Sequence, residues 1–584
     1  MEVKNRGMAI IDGMPVEIEG ERNLLELIRK VGIELPTFCY LSELSIHGAC
    51  RMCMVEDKRG NLAAACSEQP RNGMEIRTNT ARLRKYRKNI LELLLGNHCR
   101  DCTACGFSGK CKLQDLAMRF NIAGVRFPNA MSEPSVDASS PCIVKDKSKC
   151  ILCGDCVRMC EEIQTVGAIA FSRRGSRMTI GTAFDIPLAH SNCVGCGQCA
   201  AVCPTGSILP RDDTGDVWRD LADTDNMMTV QIAPAVRVAL GREFGLPEGE
   251  NAIGKIVAAL RRLGFAEVYD TSTGADLTIL EESKELLERL ADGKRHAMPL
   301  FTSCCPAWVR FCELRYPELM SEISTSFSPM HMLASVIKEQ YRDVFRQVRH
   351  VAIMPCTAKK FERSRHEFSR DGRQLVDHIV TTRELVRMIK EAGIVFSELE
   401  SEAVDAPFGA MSGAGVIFGV SGGVTEAVLR RVSTDKSPTA LRRIALTGVR
   451  GMAGVKHSSI TVDDREVRIA VVSGLGNAAM LIERIKAGEE RYDFVEVMAC
   501  PGGCVSGAGQ PYAPQAQREM RGRGLYSADK LCNIRRAEDN PLMLSLYRGL
   551  LKGRTHELLH AHYKSSVQRT SITIRIRRGK PVSG

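Results

Sequence analysis

Beyond about residue 225 the chain alternates two hydrophobic patterns. Short continuous apolar runs rich in β-branched residues predict buried strands: MMTVQIAP (227–234), AEVYDTS (266–272), RHVAIMPC (349–356), REVRIAVVSGL (465–475) and DFVEVMAC (493–500). Between them apolar residues recur at helical spacing, as over 252–263 and 283–290. This alternation predicts an α/β domain with parallel strands over 225–535. Two of the strand runs end on a cysteine, Cys356 and Cys500, and such sheets gather ligands at the C-terminal ends of their strands.

The front of the chain has another rhythm. Residues 8–18 predict a hairpin turning at Asp12-Gly13. Asn23 opens an amphipathic helix with Leu24, Leu25, Leu27, Ile28 and Val31 apolar, closed before Pro36. Residues 1–80 thus read as a small α+β domain, and a helix over roughly 80–96 follows. Residues 126–141 (RFPNAMSEPSVDASSP) have the composition of a linker. Near the other end Asp539-Asn540-Pro541 starts a helix running to about Leu551.

Composition changes this picture mainly through cysteine. A chain of 584 residues is too long for one core. Its 24 cysteines cluster mostly before residue 205, often two or three residues apart, which in a long chain points to metal ligands in a reducing compartment and not to disulfides. No apolar core of signal-peptide length and no run of 18 apolar residues occurs, so the expectation is a cytoplasmic protein without a membrane span.

The spacings sort the cysteines into sets. Cys39, Cys50, Cys53 and Cys66 form C-x10-C-x2-C-x12-C. An iron–sulfur site fits better than zinc, because two ligands lie far from the C-x2-C knuckle. Gly48, Ala49, Ala63, Ala64 and Ala65 are small enough to bring backbone N–H groups to its sulfurs. In NHCRDCTACGFSGKC two sets compete: His98, Cys102, Cys105 and Cys111, or Cys99 with the same three cysteines. Cys150, Cys153, Cys156 and Cys160 form C-x2-C-x2-C-x3-C, and Cys193, Cys196, Cys199 and Cys203 repeat it ahead of Pro204. In this duplicated ferredoxin pattern the fourth cysteine serves the other cluster, giving Cys150/153/156/203 and Cys193/196/199/160.

Three later stretches stand apart: FTSCCPAWV (301–309), MPCTAKKFE (354–362) and EVMACPGGCVSGAGQP (496–511). Pro306 bars a helix from running through the adjacent pair Cys304-Cys305 and biases Cys305 to extended backbone. Neighbours on an extended segment point opposite ways, so one thiol can face a cofactor and the other something else. Cys305, Cys356, Cys500 and Cys504 make a further set of four thiolates. The Gly-rich runs at 409–423 and 502–509 lack the G-x4-G-K-[ST] arrangement, and close approach to a bulky cofactor accounts for them better than phosphate binding. Cys142, Cys312 and Cys532 fall outside every set.

These three stretches resemble the signature segments of the [FeFe]-hydrogenases, and the match runs through nearly the whole chain. The resemblance implies a multidomain α+β and α/β protein. It would have an N-terminal β-grasp [2Fe–2S] ferredoxin-like domain (1–80), a [4Fe–4S] domain with one histidine and three cysteine ligands (81–125) and a double [4Fe–4S] ferredoxin domain (141–210). An α/β hydrogenase catalytic domain (225–535), a small-subunit-like segment (536–565) and a basic tail (566–584) would follow. It implies one [2Fe–2S] cluster, three accessory [4Fe–4S] clusters and an H-cluster: a [4Fe–4S] part on Cys305, Cys356, Cys500 and Cys504, bridged through Cys504 to a di-iron subsite with CO, cyanide and dithiolate ligands. Lys359 is implied as a donor to a cyanide, and Met354, Met498 and Phe418 as soft apolar walls.

By the same resemblance Cys304 donates protons, and Glu282, Ser324, Glu285 and Arg289, with Ser328 nearby, carry them from the surface. Glu282, Glu285 and Arg289 share one helix face. Ala307, Ala508, Phe327, Cys99 and Pro501 depart from the commoner family pattern without removing a ligand. The implied reaction is 2 H⁺ + 2 e⁻ ⇌ H2, with H-cluster maturation proteins as partners. Electrons would come from ferredoxin or from NAD(P)H through separate flavin subunits. The formal charge of +11 suits an acidic donor, and no nucleic-acid motif accompanies it. Two alternatives remain open: a hydrogen-sensing or low-turnover H-cluster protein, and an electron relay like the large subunit of complex I, which accounts for 1–210 but not for the three later cysteine segments.

Overall fold

The computed structural model describes residues 6–128, 135–292, 296–343, 347–462 and 465–563. The basic tail and part of the 126–141 linker lie outside the described residues. At the front, β1 (Arg6–Ile11) and β2 (Met14–Glu19) form the expected hairpin. Asp12 (φ 48°) and Gly13 (φ 84°) both take left-handed backbone, as a two-residue turn that matches strand twist requires. Asn23 caps α1 (Leu24–Lys30) by accepting from the Glu26 N–H. Leu24, Leu25, Leu27 and Ile28 pack on Ile11, Val16 and Ile18 of the hairpin. With β3 (Met54–Asp57), β4 (Leu62–Ala64) and β5 (Glu75–Arg77) the sheet runs β2-β1-β5-β3-β4, with β1 and β5 parallel.

The next helix, α2 (Ala81–Gly96), starts where its pattern predicts, capped by the Thr80 hydroxyl. Buried Arg87 donates to the carbonyls of Met52, Met54 and Thr78 and so fixes the helix to the chain around Cys53. α3 (Lys112–Arg119) follows directly on Cys111. The ferredoxin part is built on β6 (Val136–Asp137), β7 (Ile143–Asp146) and β8 (Ile208–Pro210), antiparallel in the order β8-β7-β6. The long insert between its cysteine repeats makes a separate two-stranded hairpin, Ala170–Ser172 with Thr179–Gly181.

The catalytic part holds two sheets where the strand pattern predicted one parallel domain. β9 (Asn226–Ile232), β10 (Glu267–Asp270), β12 (Gln347–Met354) and β13 (His378–Thr381) are all parallel, in the order β10-β9-β12-β13. The second sheet runs β11-β16-β15-β14, from β11 (Leu300–Phe301), β14 (Val455–Val462), β15 (Arg465–Ser473) and β16 (Phe494–Met498). Its edge pair β14–β15 is antiparallel, so the expectation of parallel strands throughout fails there. β14 alternates buried and exposed positions because only one of its faces is covered.

A long helix, α5 (Ser272–Ala291), joins the two sheets; α4 (Ile253–Arg262) precedes it. Apolar periodicity located only its second half. The first half, Ser272–Ile279, is buried on all sides and carries Ser, Thr, Gly, Ala and Asp. It crosses α7 (Pro329–Gln340) at Gly274, where a Cβ would lie 2.1 Å from the Pro329 carbonyl oxygen. Between these elements Pro306 is the first residue of α6 (Pro306–Arg315). After α12 (Gln515–Leu531), the C-terminal helices α13 (Pro541–Arg548) and α14 (Thr555–Leu559) return to the first sheet. Their Met543, Leu546, Leu551, Leu558 and Leu559 join its core. Among the described residues no helix is long and apolar enough to cross a membrane.

Candidate active site

The three cysteine segments converge on one cavity of about 80 Å³ between the sheets. Cys305, Cys356, Cys500 and Cys504 line it, together with Cys304, Lys359, Met354, Met498 and Phe418. Cys356 and Cys500 each stand two residues past a strand, β12 and β16, so the sheet register fixes both. Cys305 has the extended backbone that the following proline requires (φ −98°, ψ 104°), and its sulfur accepts from the Ala499 N–H at 3.4 Å. Burial, then the neighbouring Cys356 and Cys305, push the Cys500 thiol well up, and Cys504 responds the same way. Four thiols so placed are costly to ionise on their own; a cationic iron–sulfur core satisfies them together.

Of the glycines in 409–423 and 502–509, Gly419, Gly503 and Gly507 line the cavity. Several also let main chain approach main chain. A Cβ on Gly423 would meet Ile417 O at 1.8 Å, on Gly503 the Ser421 nitrogen at 2.5 Å, and on Gly507 Pro355 O at 2.1 Å. This packing presses the Cys504 loop against the turn before Cys356.

Lys359 is buried at the cavity wall. Its Nζ donates to Glu362 Oε2 (2.7 Å) and to Cys304 O (3.3 Å). Burial would raise Glu362, but Lys359 and His331 bring it down to about 2, so the lysine keeps a fixed counter-charge. His331 stacks on Phe368 at 3.8 Å, and Phe327 meets Phe368 edge-on. Neither Glu362 nor His331 carried a signal in the sequence.

Behind Cys304, outside the cavity lining, α5 carries Glu282, Glu285 and Arg289. Glu282 is fully buried; one oxygen accepts from the Ser303 N–H (3.3 Å), and the other has no hydrogen-bond partner among the described residues. Burial, then the nearby Glu285, push its carboxyl up to about 8. Burial, then Glu282, likewise push the Cys304 thiol well up. Burial would raise Glu285 too, but the nearby His560 imidazole, Ser324 and a hydrogen bond from Thr325 hold it below the ordinary value. Ser324 Oγ accepts from the Ser326 N–H (3.2 Å). Arg289 donates to Glu322 and to Met298 O, each at 2.5 Å. Ser328 caps α7, and its hydroxyl makes no hydrogen bond among the described residues.

The front sites are arranged around the ferredoxin part. The free thiols of Cys39 and Cys50 lie side by side, as do those of Cys53 and Cys66. The N–H groups reaching sulfur are those of Cys50, to Cys39, and Phe38, to Cys50, both at 3.4 Å. Of the small residues expected there, Ala65 gives its N–H to Cys53 O instead. At the second site the His98 Nδ1–H is taken by the Cys99 carbonyl, which leaves Nε2 as the lone-pair nitrogen. That Nε2 is buried without a hydrogen-bond partner among the described residues, and burial holds the imidazole below its ordinary value. Cys111 feels Cys105 and Cys102.

Cys153 packs in one apolar cluster with Phe38, Cys39, Leu91 and Cys111, so both front sites abut the same ferredoxin site. Arg158 ties the parts together through Cys39 O (3.0 Å) and Asp155 (2.5 Å). The crosswise sets also come together: Cys203 bears on Cys150, Cys153 and Cys156, and Cys160 on Cys193, Cys196 and Cys199. At the far side Gln198 Nε2 donates to Cys500 Sγ and Ser506 O, both at 3.1 Å, and Gln164 Nε2 donates to Ala499 O at 2.9 Å. Neither glutamine was singled out from the sequence. Cys142 is buried beside Gly195, outside every set.

Residues 226–508 match the iron only hydrogenase large subunit, C-terminal domain, and 515–566 the iron hydrogenase small subunit. The NADP-reducing hydrogenase subunit of Solidesulfovibrio fructosivorans is 42% identical over 576 residues, covering 95% of this chain and 98% of its own. The chain belongs to the [FeFe]-hydrogenase family. Iron hydrogenase 1 of Clostridium pasteurianum is 33% identical, covering 95% of this chain and 99% of its own. A solved [FeFe]-hydrogenase from Chlamydomonas reinhardtii, 38% identical, covers 60% of this chain and 98% of its own with a TM-score of 0.53. The front of this hydrogenase matches a 2Fe-2S iron-sulfur cluster binding domain (9–81), an NADH-ubiquinone oxidoreductase-G iron-sulfur binding region (87–126) and a 4Fe-4S dicluster domain (149–207). It is thus a multidomain enzyme with 2Fe-2S and 4Fe-4S ferredoxin-like domains ahead of an [FeFe]-hydrogenase catalytic domain.

Proposed function

We propose that this hydrogenase catalyses the reversible reduction of protons to H2, with Cys305, Cys356, Cys500 and Cys504 holding the [4Fe–4S] part of the H-cluster. The observation that carries the reading is the convergence of these four thiols, from three distant segments, on one apolar cavity that Cys304 and Lys359 also line. When bound, the H-cluster supplies the centre at which two electrons and two protons combine, and the accessory clusters supply one-electron carriers. The chain does the rest. Cys304 holds a proton at the cavity edge, Glu282 recharges it from behind, and Ser324, Glu285 and Arg289 lead to the surface, with Ser328 beside them. Lys359 keeps an N–H aimed into the cavity for an anionic ligand. Met354, Met498 and Phe418 exclude water.

The accessory sites read as a β-grasp [2Fe–2S] domain (1–80), a [4Fe–4S] domain on His98, Cys102, Cys105 and Cys111 (81–125), and two crosswise [4Fe–4S] sites (141–210). The catalytic domain spans 225–535, and the C-terminal segment 536–565. The likeness to an NADP-reducing hydrogenase subunit favours NAD(P)H-oxidising flavin subunits as the electron source, with ferredoxin as the other donor that the basic charge suits. A cytoplasmic location and dependence on maturation proteins belong to the same reading.

The test is anoxic hydrogen evolution from reduced viologen, by protein made with and without the maturation proteins. Activity only after maturation, with about 20 irons per chain, is expected. Full iron without turnover would overturn the catalytic reading and leave a sensor.

A further inference from the structure

We propose that His560, on the C-terminal segment, feeds protons to Glu285, so that the proton route has a second mouth among the histidines of that segment. The inference rests on the route through Glu285 and Glu282 proposed above. His560 touches no reacting atom; it acts by positioning Glu285 and exchanging a proton with it.

The imidazole is held on both sides. Nδ1 lies 2.8 Å from Thr325 Oγ1 and 3.6 Å from Glu285 Oε1, and Nε2 lies 3.0 Å from Glu281 Oε2. Thr325 gives its hydroxyl to Glu285 and the Tyr547 hydroxyl goes to Glu281. Main chain locks the position: the Ala561 N–H bonds Thr325 O (2.7 Å) and the Phe327 N–H bonds Leu559 O (2.8 Å). The segment therefore extends the very loop that carries Ser324 and Ser328. Outward, His560 stacks on His556 with centroids 4.9 Å apart, and His556 leans on His562 at 5.2 Å. His556 and His562 are exposed.

The charged and titratable groups around His560 are few. α5 presents Glu281, Lys284 and Glu285, and α13 presents Tyr547. α7 brings Ser335 to Leu558 O and Glu339 to Arg554, and the segment itself carries His556, Glu557 and His562. Burial would discharge His560, but its hydrogen bond to Glu281 and the neighbouring Glu285 carboxylate raise it to about 9. It thus carries a proton at neutral pH beside a carboxylate held below its ordinary value. The other exit ends at Arg289, and a guanidinium does not release a proton. In the transfer the His560 N–H bond breaks, the Thr325 hydroxyl accepts that proton and passes its own to Glu285, and neutral His560 is recharged from solvent at the exposed histidines.

The test compares matured H560Q and H560A with E282Q. H560Q keeps hydrogen-bonding groups but cannot titrate. Expected is unchanged iron content and a rate roughly tenfold lower at about pH 8, the deficit shrinking towards about pH 5, with added imidazole restoring H560A. In the full chain before maturation, histidine-labelled NMR should show one imidazole titrating above the ordinary value and missing from H560Q. A pH profile superimposable on the wild type overturns the inference. So does an equal loss at every pH without imidazole rescue, the mark of a structural role. If E282Q abolishes turnover while H560Q leaves the profile unchanged, only this inference falls; if E282Q retains full turnover, the underlying route falls with it.

Discussion

Gln198 and Cys500 lie 302 positions apart, yet Gln198 Nε2 donates to Cys500 Sγ at 3.1 Å. Its second amide hydrogen goes to Ser506 O, so the side chain cannot rotate away without breaking both bonds. Gln198 sits one residue before Cys199, and this contact is where the ferredoxin part grips the cysteine cradle.

Hydrogen bonds to a cluster thiolate favour the more negative, reduced state and raise its potential. Gln198→Leu is therefore expected to lower the potential of the cluster proposed on Cys500 by some tens of millivolts, on the order expected for one such bond. A redox titration followed by EPR measures it; an unchanged midpoint would show that the amide serves packing alone.

Cys304→Ala should leave iron content and cluster spectra as in the wild type while hydrogen evolution falls by at least about 100-fold, the usual scale for losing a positioned proton donor. Cys304→Asp, which restores an ionisable group, should recover part of that loss. Full turnover in the alanine variant would remove Cys304 from the route.

His98 and Cys99 can be separated directly. His98→Ala should change the EPR signature of the proposed cluster nearest the N-terminal helices, because the buried Nε2, without a hydrogen-bond partner among the described residues, is lost. Cys99→Ser should leave that spectrum alone. The reverse pattern would make Cys99 the ligand.

Glu282 also makes stability depend on pH. Its carboxyl titrates at about 8 when folded against 4.5 for the free group, so between those values the folded state binds more protons than the unfolded one. Stability is fully present below the lower value and falls as pH rises through the upper. Glu282→Gln escapes this loss: its melting temperature should match the wild type near about pH 4 and exceed it near about pH 8, by the equivalent of a few kcal/mol. Parallel melting curves across that range would mean the carboxyl is not held as described.

The iron–sulfur domains and the convergence of Cys305, Cys356, Cys500 and Cys504 were legible because residue type and local spacing carry their chemistry. Pro306 fixes the Cys305 backbone wherever the rest of the chain lies, and the duplicated C-x2-C runs identify themselves. The first half of α5 was not legible, since Ser272, Thr273 and Gly274 are buried all round and leave no apolar stripe; only contact with Pro329 explains Gly274. Gln198, Gln164 and His560 were invisible for another reason. Their partners are hundreds of residues away, and no local pattern marks a polar side chain that will meet a distant thiolate or carboxylate. The glycines of 502–509 were seen and assigned to cofactor access; the main-chain packing they also serve, as Gly507 does against Pro355, was not.

The apolar cluster uniting Phe38, Cys39, Cys111 and Cys153 has a wiring consequence. The two proposed front clusters need not stand in series, since residues of both sites pack in one cluster with Cys153. Such a node has two parallel branches. Blocking one leaves current through the other, and two donors docked at once compete for a single conductor. The choice of electron donor can then change at either branch while everything downstream of Cys153 stays as it is.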